Sequence, residues 1–191
     1  MALTGAILAP PPKVNAALGL AKHGFSRVIF ALGYMAEKII TYFGDDFSGM
    51  ELVYVIEEQP LGTGGAVRLA MTKCITDHVF IFNGDTYLDL EINRVELHWQ
   101  QYKQPIMVAR YVDDTARYGR LELNQGQIIG FLEKGLSGTG LINAGTYVLP
   151  TTILNSFDVG QAFSLETDFF IPFVKQHRLD AFITQGRFID I

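Results

Sequence analysis

Five short apolar runs, set apart by stretches with helical spacing, constrain this chain more than any other feature of its sequence. Residues 6–9, 27–32, 52–56, 78–82 and 106–111 are of strand length and rich in β-branched and aromatic side chains. Between them, 35–43, 66–73 and 92–102 carry apolar residues at the spacing of a helix face. Strands that alternate with helices predict βαβ units and a mostly parallel sheet buried on both faces. After Tyr111 the rhythm changes to shorter runs at 120–123, 128–132 and 141–149, which predict an antiparallel patch added to that sheet. The chain of 191 residues, 49% of them hydrophobic, is long enough for one domain with a substantial core, and residues 1–191 read as a single unit.

Several classes of function are disfavoured by composition. The mean hydropathy is +0.21, yet no apolar run approaches the roughly 20 residues that span a bilayer. The apolar start, 1–9, has no Lys or Arg before it and three prolines after it, so it reads as a first core strand and not as a signal peptide. A net charge of −5 with no basic block makes nucleic acid and membrane surfaces unexpected partners. The single cysteine, Cys74, can form no intramolecular disulfide, fits a reducing cytoplasm, and reads as a small core residue and not a nucleophile. His23, His78, His98 and His177 show no metal-ligand spacing, and no GxSxG is present.

Two motifs carry chemistry. The first is Pro60-Leu61-Gly62-Thr63-Gly64-Gly65-Ala66, a turn crowded with glycine between a strand-like and a helix-like run. Loops of this kind sit at the carboxyl ends of strands in open α/β sheets, where nucleotides and sugar phosphates bind. Glycine equally serves a tight turn with no ligand. Neither standard phosphate cradle is matched: Val67 stands where a dinucleotide fingerprint needs its third glycine, and no Gly-Lys-Ser/Thr follows. The second motif is Asn83-Gly84-Asp85, into which the apolar run 78–82 leads directly. A carboxylate at the end of a buried strand can hold a hard cation such as Mg²⁺. The alternative is an Asn-Gly hairpin with a solvated acid, and it is weakened because 88–91 lead into a helix and not into a paired strand.

Taken with Phe131-Leu132-Glu133-Lys134, Asn143-Ala144-Gly145-Thr146-Tyr147 and Phe188-Ile189-Asp190-Ile191, the two motifs stand in an order that resembles the sugar-1-phosphate nucleotidyltransferases. The wording EEQPLGTGGA, FNGDTYLD, RYGRLEL, FLEKG, GLINAGTYVL and FSLETDFF is most similar to the D-glycero-D-manno-heptose-1-phosphate guanylyltransferases, and the resemblance runs from about residue 20 onward. It implies a Rossmann-like α/β fold of the GT-A-like nucleotidyltransferase type. It also implies a reaction in which a sugar 1-phosphate attacks the α-phosphorus of a nucleoside triphosphate to give a nucleotide sugar and pyrophosphate.

By the same resemblance Asp85 and Asp190 hold Mg²⁺, and Lys134 contacts the sugar phosphate. Leu61, Gly62, Thr63, Gly64, Gly65 and Gly84 form the nucleotide site, while Gly119, Glu133, Asn143 and Gly145 form the sugar pocket. Judged on spacing alone, Asp190 reads as a terminal acid, Lys134 reads equally well as a turn lysine, and the alternatives for Asn143 and for Gly119 and Gly145 are a turn cap and bends or bulges. The segment 164–168 reads as a helix start with acids in its first turn and is not assigned to the site.

One departure stands out. The family's G-G-x-G-T-R loop after the first strand is replaced by Ala9-Pro10-Pro11-Pro12-Lys13, in which only Pro12-Lys13 matches, and Lys13 is assigned a catalytic role on that match. The chain also stops at Ile191, where the family continues into a closing helix. Two explanations compete: segments of a longer enzyme are missing from the chain, or a truncated relative has lost its grip on phosphate and survives as a silent nucleotide-sugar binding module. The first is expected, because a three-proline join directly after a buried strand is poor loop chemistry. Nothing in the residues fixes the oligomeric state.

Overall fold

The structure, a computed structural model, describes residues 3–8 and 20–190. Lys13 lies outside them. The order is β1 (Leu3–Leu8), β2 (Phe25–Leu32), α1 (Ala36–Phe43), β3 (Asp46–Phe47), β4 (Met50–Ile56), α2 (Gly62–Met71), β5 (His78–Asn83), β6 (Thr86–Leu88), α3 (Ile92–Tyr102) and β7 (Ile106–Val112). There follow β8 (Arg120–Asn124), β9 (Gln127–Leu132), β10 (Gly140–Pro150), a π-helical turn (Leu165–Phe170) running into α4 (Ile171–Phe173), β11 (Asp180–Ile183) and β12 (Phe188–Asp190).

One sheet of ten strands carries the molecule, in the order β3-β4-β2-β1-β5-β10-β7-β11-β9-β8. Its first half is parallel through β4, β2, β1 and β5. Its second half is mixed, with β10 antiparallel to both β5 and β7, and the β8–β9 hairpin closing the far edge. The expected parallel core with an antiparallel extension is therefore present.

The apolar runs are nearly continuous because both faces of the sheet are covered. On one face Ala6, Ile29, Val79 and Ile81 pack with Val67 and Ala70 of α2 and with Phe169 and Phe170. On the other, Ile7, Val28, Phe30 and Phe80 pack with Ile39 of α1 and with Val95 and Trp99 of α3. Adjacent residues of one strand thus serve opposite cores, as the two-residue strand period requires. Fully burying one such side chain contributes about 1.5–3 kcal/mol. Phe30, Phe80, Ile29 and Ile81, all inaccessible to solvent, are the centre of this packing.

Two local expectations need correction. The segment 60–66 is not mainly a loop, because Gly62 already opens α2. And although 89–91 lead into α3 and β6 makes no hairpin with β5, as expected, a paired strand does follow Asp85: residues 86–88 pair antiparallel with β12, so the turn 83–85 sends the chain to a separate two-stranded ribbon.

Candidate active site

Parallel strands that end together leave a crevice at their carboxyl ends, and β5 delivers Asn83, Gly84 and Asp85 there. The antiparallel β10 runs beside β5 with Thr146 opposite Phe82, so residues 143–145 lie next to the same strand end. The register of β10 on β7 shifts between Asn143 and Tyr147. Gly145 sits inside that irregular stretch with φ +71, and a Cβ there would lie 2.9 Å from Asn83 Nδ2. A side chain at 145 would be strained in conformation and would press on Asn83.

This irregularity aims Asn143 into the cleft. Its Oδ1 accepts from the Gly145 backbone N–H at 3.0 Å, and its Nδ2 donates to Tyr147 Oη at 2.9 Å and to Glu166 Oε2 at 3.4 Å. Burial pushes the Tyr147 phenol well above its ordinary value; the Asn143 hydrogen bond opposes the shift, and the Glu166 and Asp85 carboxylates add to it. Tyr147 therefore stays protonated and serves as a fixed neutral acceptor for Asn143.

The cleft so formed measures about 250 Å³, just below the usual size of a pocket for a whole small molecule, so it suits one polar part of a ligand. Five of the residues singled out in the sequence line it: Asp85, Gly119, Lys134, Asn143 and Gly145. Asp85 and Lys134 are exposed and free to meet a charged group. Among the described residues Asp85 accepts from the neighbouring Thr86 hydroxyl alone, at 3.2 Å. Gly119 is tightly backed, since a Cβ there would lie 3.0 Å from the Leu132 carbonyl oxygen. Glu133 follows β9, exposed, and is not part of the lining. The backbone of Asp190, in β12, stands opposite Thr86, the first residue of β6, and Asp85 is the turn residue just before it.

The glycine segment has a different neighbour. A Cβ at Gly62 would lie 2.7 Å from the Phe163 carbonyl oxygen, one at Gly64 2.2 Å from the Phe163 ring, and one at Gly65 2.5 Å from the Gln161 carbonyl oxygen. The close approach that these glycines permit is therefore to the chain's own segment 161–163. Gly64 N–H donates to the Phe163 carbonyl at 3.0 Å, and the Phe163 ring stacks on Phe157 at 3.9 Å between centroids. Gly64, Gly65 and Leu61 are buried, whereas Gly62 and Thr63 face outward.

The lining residues to which the sequence assigns no role include Arg117, Tyr118 and Glu166. Arg117 and Tyr118 immediately precede Gly119 in the RYG stretch, which was the available signal. Glu166 carries no sequence signal of a site, because Ser164 reads as a cap. That reading holds locally, since the Thr167 N–H donates to Ser164 Oγ at 3.2 Å. The same turn nevertheless delivers Glu166 to the cleft.

Cys74 lies away from this site at the end of α2. Burial pushes its thiol up to about 11, with the Arg27 charge opposing the shift, so almost no thiolate exists near neutrality. At pH 8 the native protein should take up iodoacetamide far more slowly than the unfolded chain, as read by intact mass. Equal rates would contradict the half-buried position.

Comparison with known proteins bears on this geometry. A family model described as nucleotidyl transferase matches residues 15–186. The chain is 35% identical over 173 residues to the D-glycero-alpha-D-manno-heptose 1-phosphate guanylyltransferase of Aneurinibacillus thermoaerophilus, covering 90% of this chain and 75% of that protein. It is also 35% identical over 173 residues to the enzyme of the same name from Campylobacter jejuni, covering 90% and 76%. Among solved structures, HddC from Yersinia pseudotuberculosis complexed with GMP-PN superposes with a TM-score of 0.86 at 30% identity, covering 98% of this chain and 93% of that one.

Proposed function

This chain belongs to the nucleotidyl transferase family, and from that premise we propose that it joins GTP to D-glycero-α-D-manno-heptose 1-phosphate, releasing pyrophosphate and supplying a nucleotide sugar for surface-glycan synthesis in the cytoplasm. The observation that carries this reading is the convergence of Asp85, Lys134, Asn143, Gly119 and Gly145 on one polar cleft at the end of β5. The choice of guanine and of a heptose is supported by the two relatives at 35% identity.

In the proposed reaction an oxygen of the sugar 1-phosphate attacks the α-phosphorus, the bond to the β-phosphate bridging oxygen breaks, and pyrophosphate leaves. The substrate is its own nucleophile, so the chain needs no activated Ser or Cys, in keeping with the buried thiol of Cys74. Lys134 draws the sugar phosphate into line as a flexible point charge, and Arg117 adds a second cation at the same cleft. Asn143, fixed by Gly145 and Tyr147, presents a rigid edge to the sugar.

Nucleotidyltransferases of this family generally use a divalent metal. We assign it as Mg²⁺, with Asp85 and Asp190 as its protein ligands. Among the described residues no three His, Cys, Asp or Glu side chains cluster as a self-sufficient metal site. Two carboxylates completed by phosphate oxygens and water fit Mg²⁺ better than a cation that demands a full protein cage. When bound, the ion would neutralise charge on the phosphates in the transition state.

Pyrophosphate release measured with GTP, Mg²⁺ and a panel of sugar 1-phosphates tests the proposal. Turnover greatest with the heptose phosphate is expected; no turnover with any sugar, alongside tight binding of the nucleotide sugar, would refute it. Lys134→Met should raise KM for the sugar phosphate by about tenfold, the effect of losing one charge-assisted contact, with KM for GTP little changed. An unchanged sugar-phosphate KM would remove Lys134 from its role.

A further inference from the structure

Glu166 reaches the cleft by a route that the sequence did not advertise, and its surroundings give it a specific capacity. Both Nδ2 hydrogens of Asn143 are committed, to Tyr147 and Glu166, and its Oδ1, which accepts from Gly145 N–H, keeps one acceptor position. A carboxylate offers about four acceptor sites. Among the described residues Glu166 receives one hydrogen bond, the long one of 3.4 Å from Asn143. It is therefore the half-buried carboxylate of the cleft, with room for a ligand donor.

The backbone that carries Glu166 is held from several sides. Leu165 N–H donates to Thr63 Oγ1 at 3.0 Å, Ser164 N–H to Asp168 Oδ2 at 2.7 Å, and Thr167 N–H to Ser164 Oγ at 3.2 Å. Two residues upstream, the Phe163 backbone and ring are seated on Gly62 and Gly64 of α2. The turn is π-helical, a geometry that occurs often at functional sites because it re-aims one side chain out of a helical run. A side chain fixed in this way suits geometric discrimination between stereoisomers.

We propose that Glu166 is a sugar-binding residue that accepts a hydrogen bond from one ring hydroxyl of the sugar 1-phosphate and thereby selects the configuration at that carbon. The proposal rests on the sugar-phosphate reading of the cleft and adds a determinant of specificity to it. The donor chemistry is fixed by the acceptor. A carboxylate beside an occupied amide takes O–H groups, whereas the phosphate goes to Lys134 and Arg117 at the same cleft.

The test is binding of heptose 1-phosphate, mannose 1-phosphate and the monodeoxy derivatives of mannose 1-phosphate to the wild type and to E166Q, by calorimetry, with pyrophosphate release followed in parallel. E166Q keeps the shape of the side chain and removes its charge, and E166D serves as a second variant that keeps the charge and shortens the reach. Affinity for the parent sugars should fall about 10- to 100-fold in E166Q, the range for a hydrogen bond to a charged group, with GTP affinity unchanged. For one monodeoxy derivative the wild type and E166Q should bind equally, because the hydroxyl that Glu166 reads is gone.

An equal loss across every deoxy derivative, or an equal loss for GTP, would overturn the proposal. Binding that behaves as expected without pyrophosphate release would sink the transferase reading and leave Glu166 as a sugar-hydroxyl acceptor. Failure of every sugar phosphate to bind the wild type would sink both.

Discussion

Asp85→Asn should reduce pyrophosphate release by about a thousandfold at saturating substrates, the scale seen when a group that offsets transition-state charge is lost. The substitution keeps the size of the side chain and removes one negative charge. Asp85 is exposed and, among the described residues, accepts from the Thr86 hydroxyl alone, so the fold loses little: surface changes of this kind stay within about 0.5 kcal/mol. The expected pattern is thus an unchanged melting temperature, lost turnover, and a higher Mg²⁺ concentration for half-maximal residual activity. Activity within tenfold of wild type would remove Asp85 from metal binding. A melting temperature that falls with the activity would instead identify Asp85 as a structural residue.

Gly62→Ala should have the largest effect on stability. Its φ of +68 disfavours any side chain by about 1–2 kcal/mol. Its new Cβ would also meet the Phe163 carbonyl oxygen at 2.7 Å, a backbone atom that cannot swing away. Overpacking of this kind adds about 1–3 kcal/mol. A total near 3 kcal/mol corresponds to a fall in Tm of about 6–12 °C for a chain of this size. Gly49→Ala is the control: its φ is +81, but a Cβ there meets nothing within 4 Å, so only the conformational part should appear. Equal falls in the two variants would mean that Phe163 does not press on Gly62.

The parallel core was readable because its strands are buried on both faces, and such strands leave continuous apolar runs that need no long-range information. The range 92–102, chosen on helical spacing, coincides with α3. The glycine segment was read less well. Three glycines signal close approach, but sequence alone cannot say what approaches, and here Phe163, a hundred residues away, fills the space in the structure. Asp85 was legible because a strand led straight to it. The strand after it was not: β6 has only three residues, and its partner β12 lies at the other end of the chain. Glu166 illustrates a further difficulty. Ser164 is a correctly read cap, and a residue two positions after a cap is ordinarily a solvated acid favoured by the helix dipole. Only the packing of the turn against α2 and β10 turns that acid inward.

The irregularity in β10 has a practical consequence for redesign. One strand of eleven residues, Gly140–Pro150, is divided by it into a stretch that meets the ligand cleft and a stretch, 146–149, that is wholly buried. Within the first stretch Leu141, Ile142 and Ala144 are core residues, so libraries aimed at new sugars should be confined there to Asn143, with Gly145 kept. Changes beyond it act on solubility and expression. A deletion of one residue between the two would turn every later side chain of the strand to the opposite face of the sheet, and because both faces are packed the damage falls on the core before it reaches the cleft.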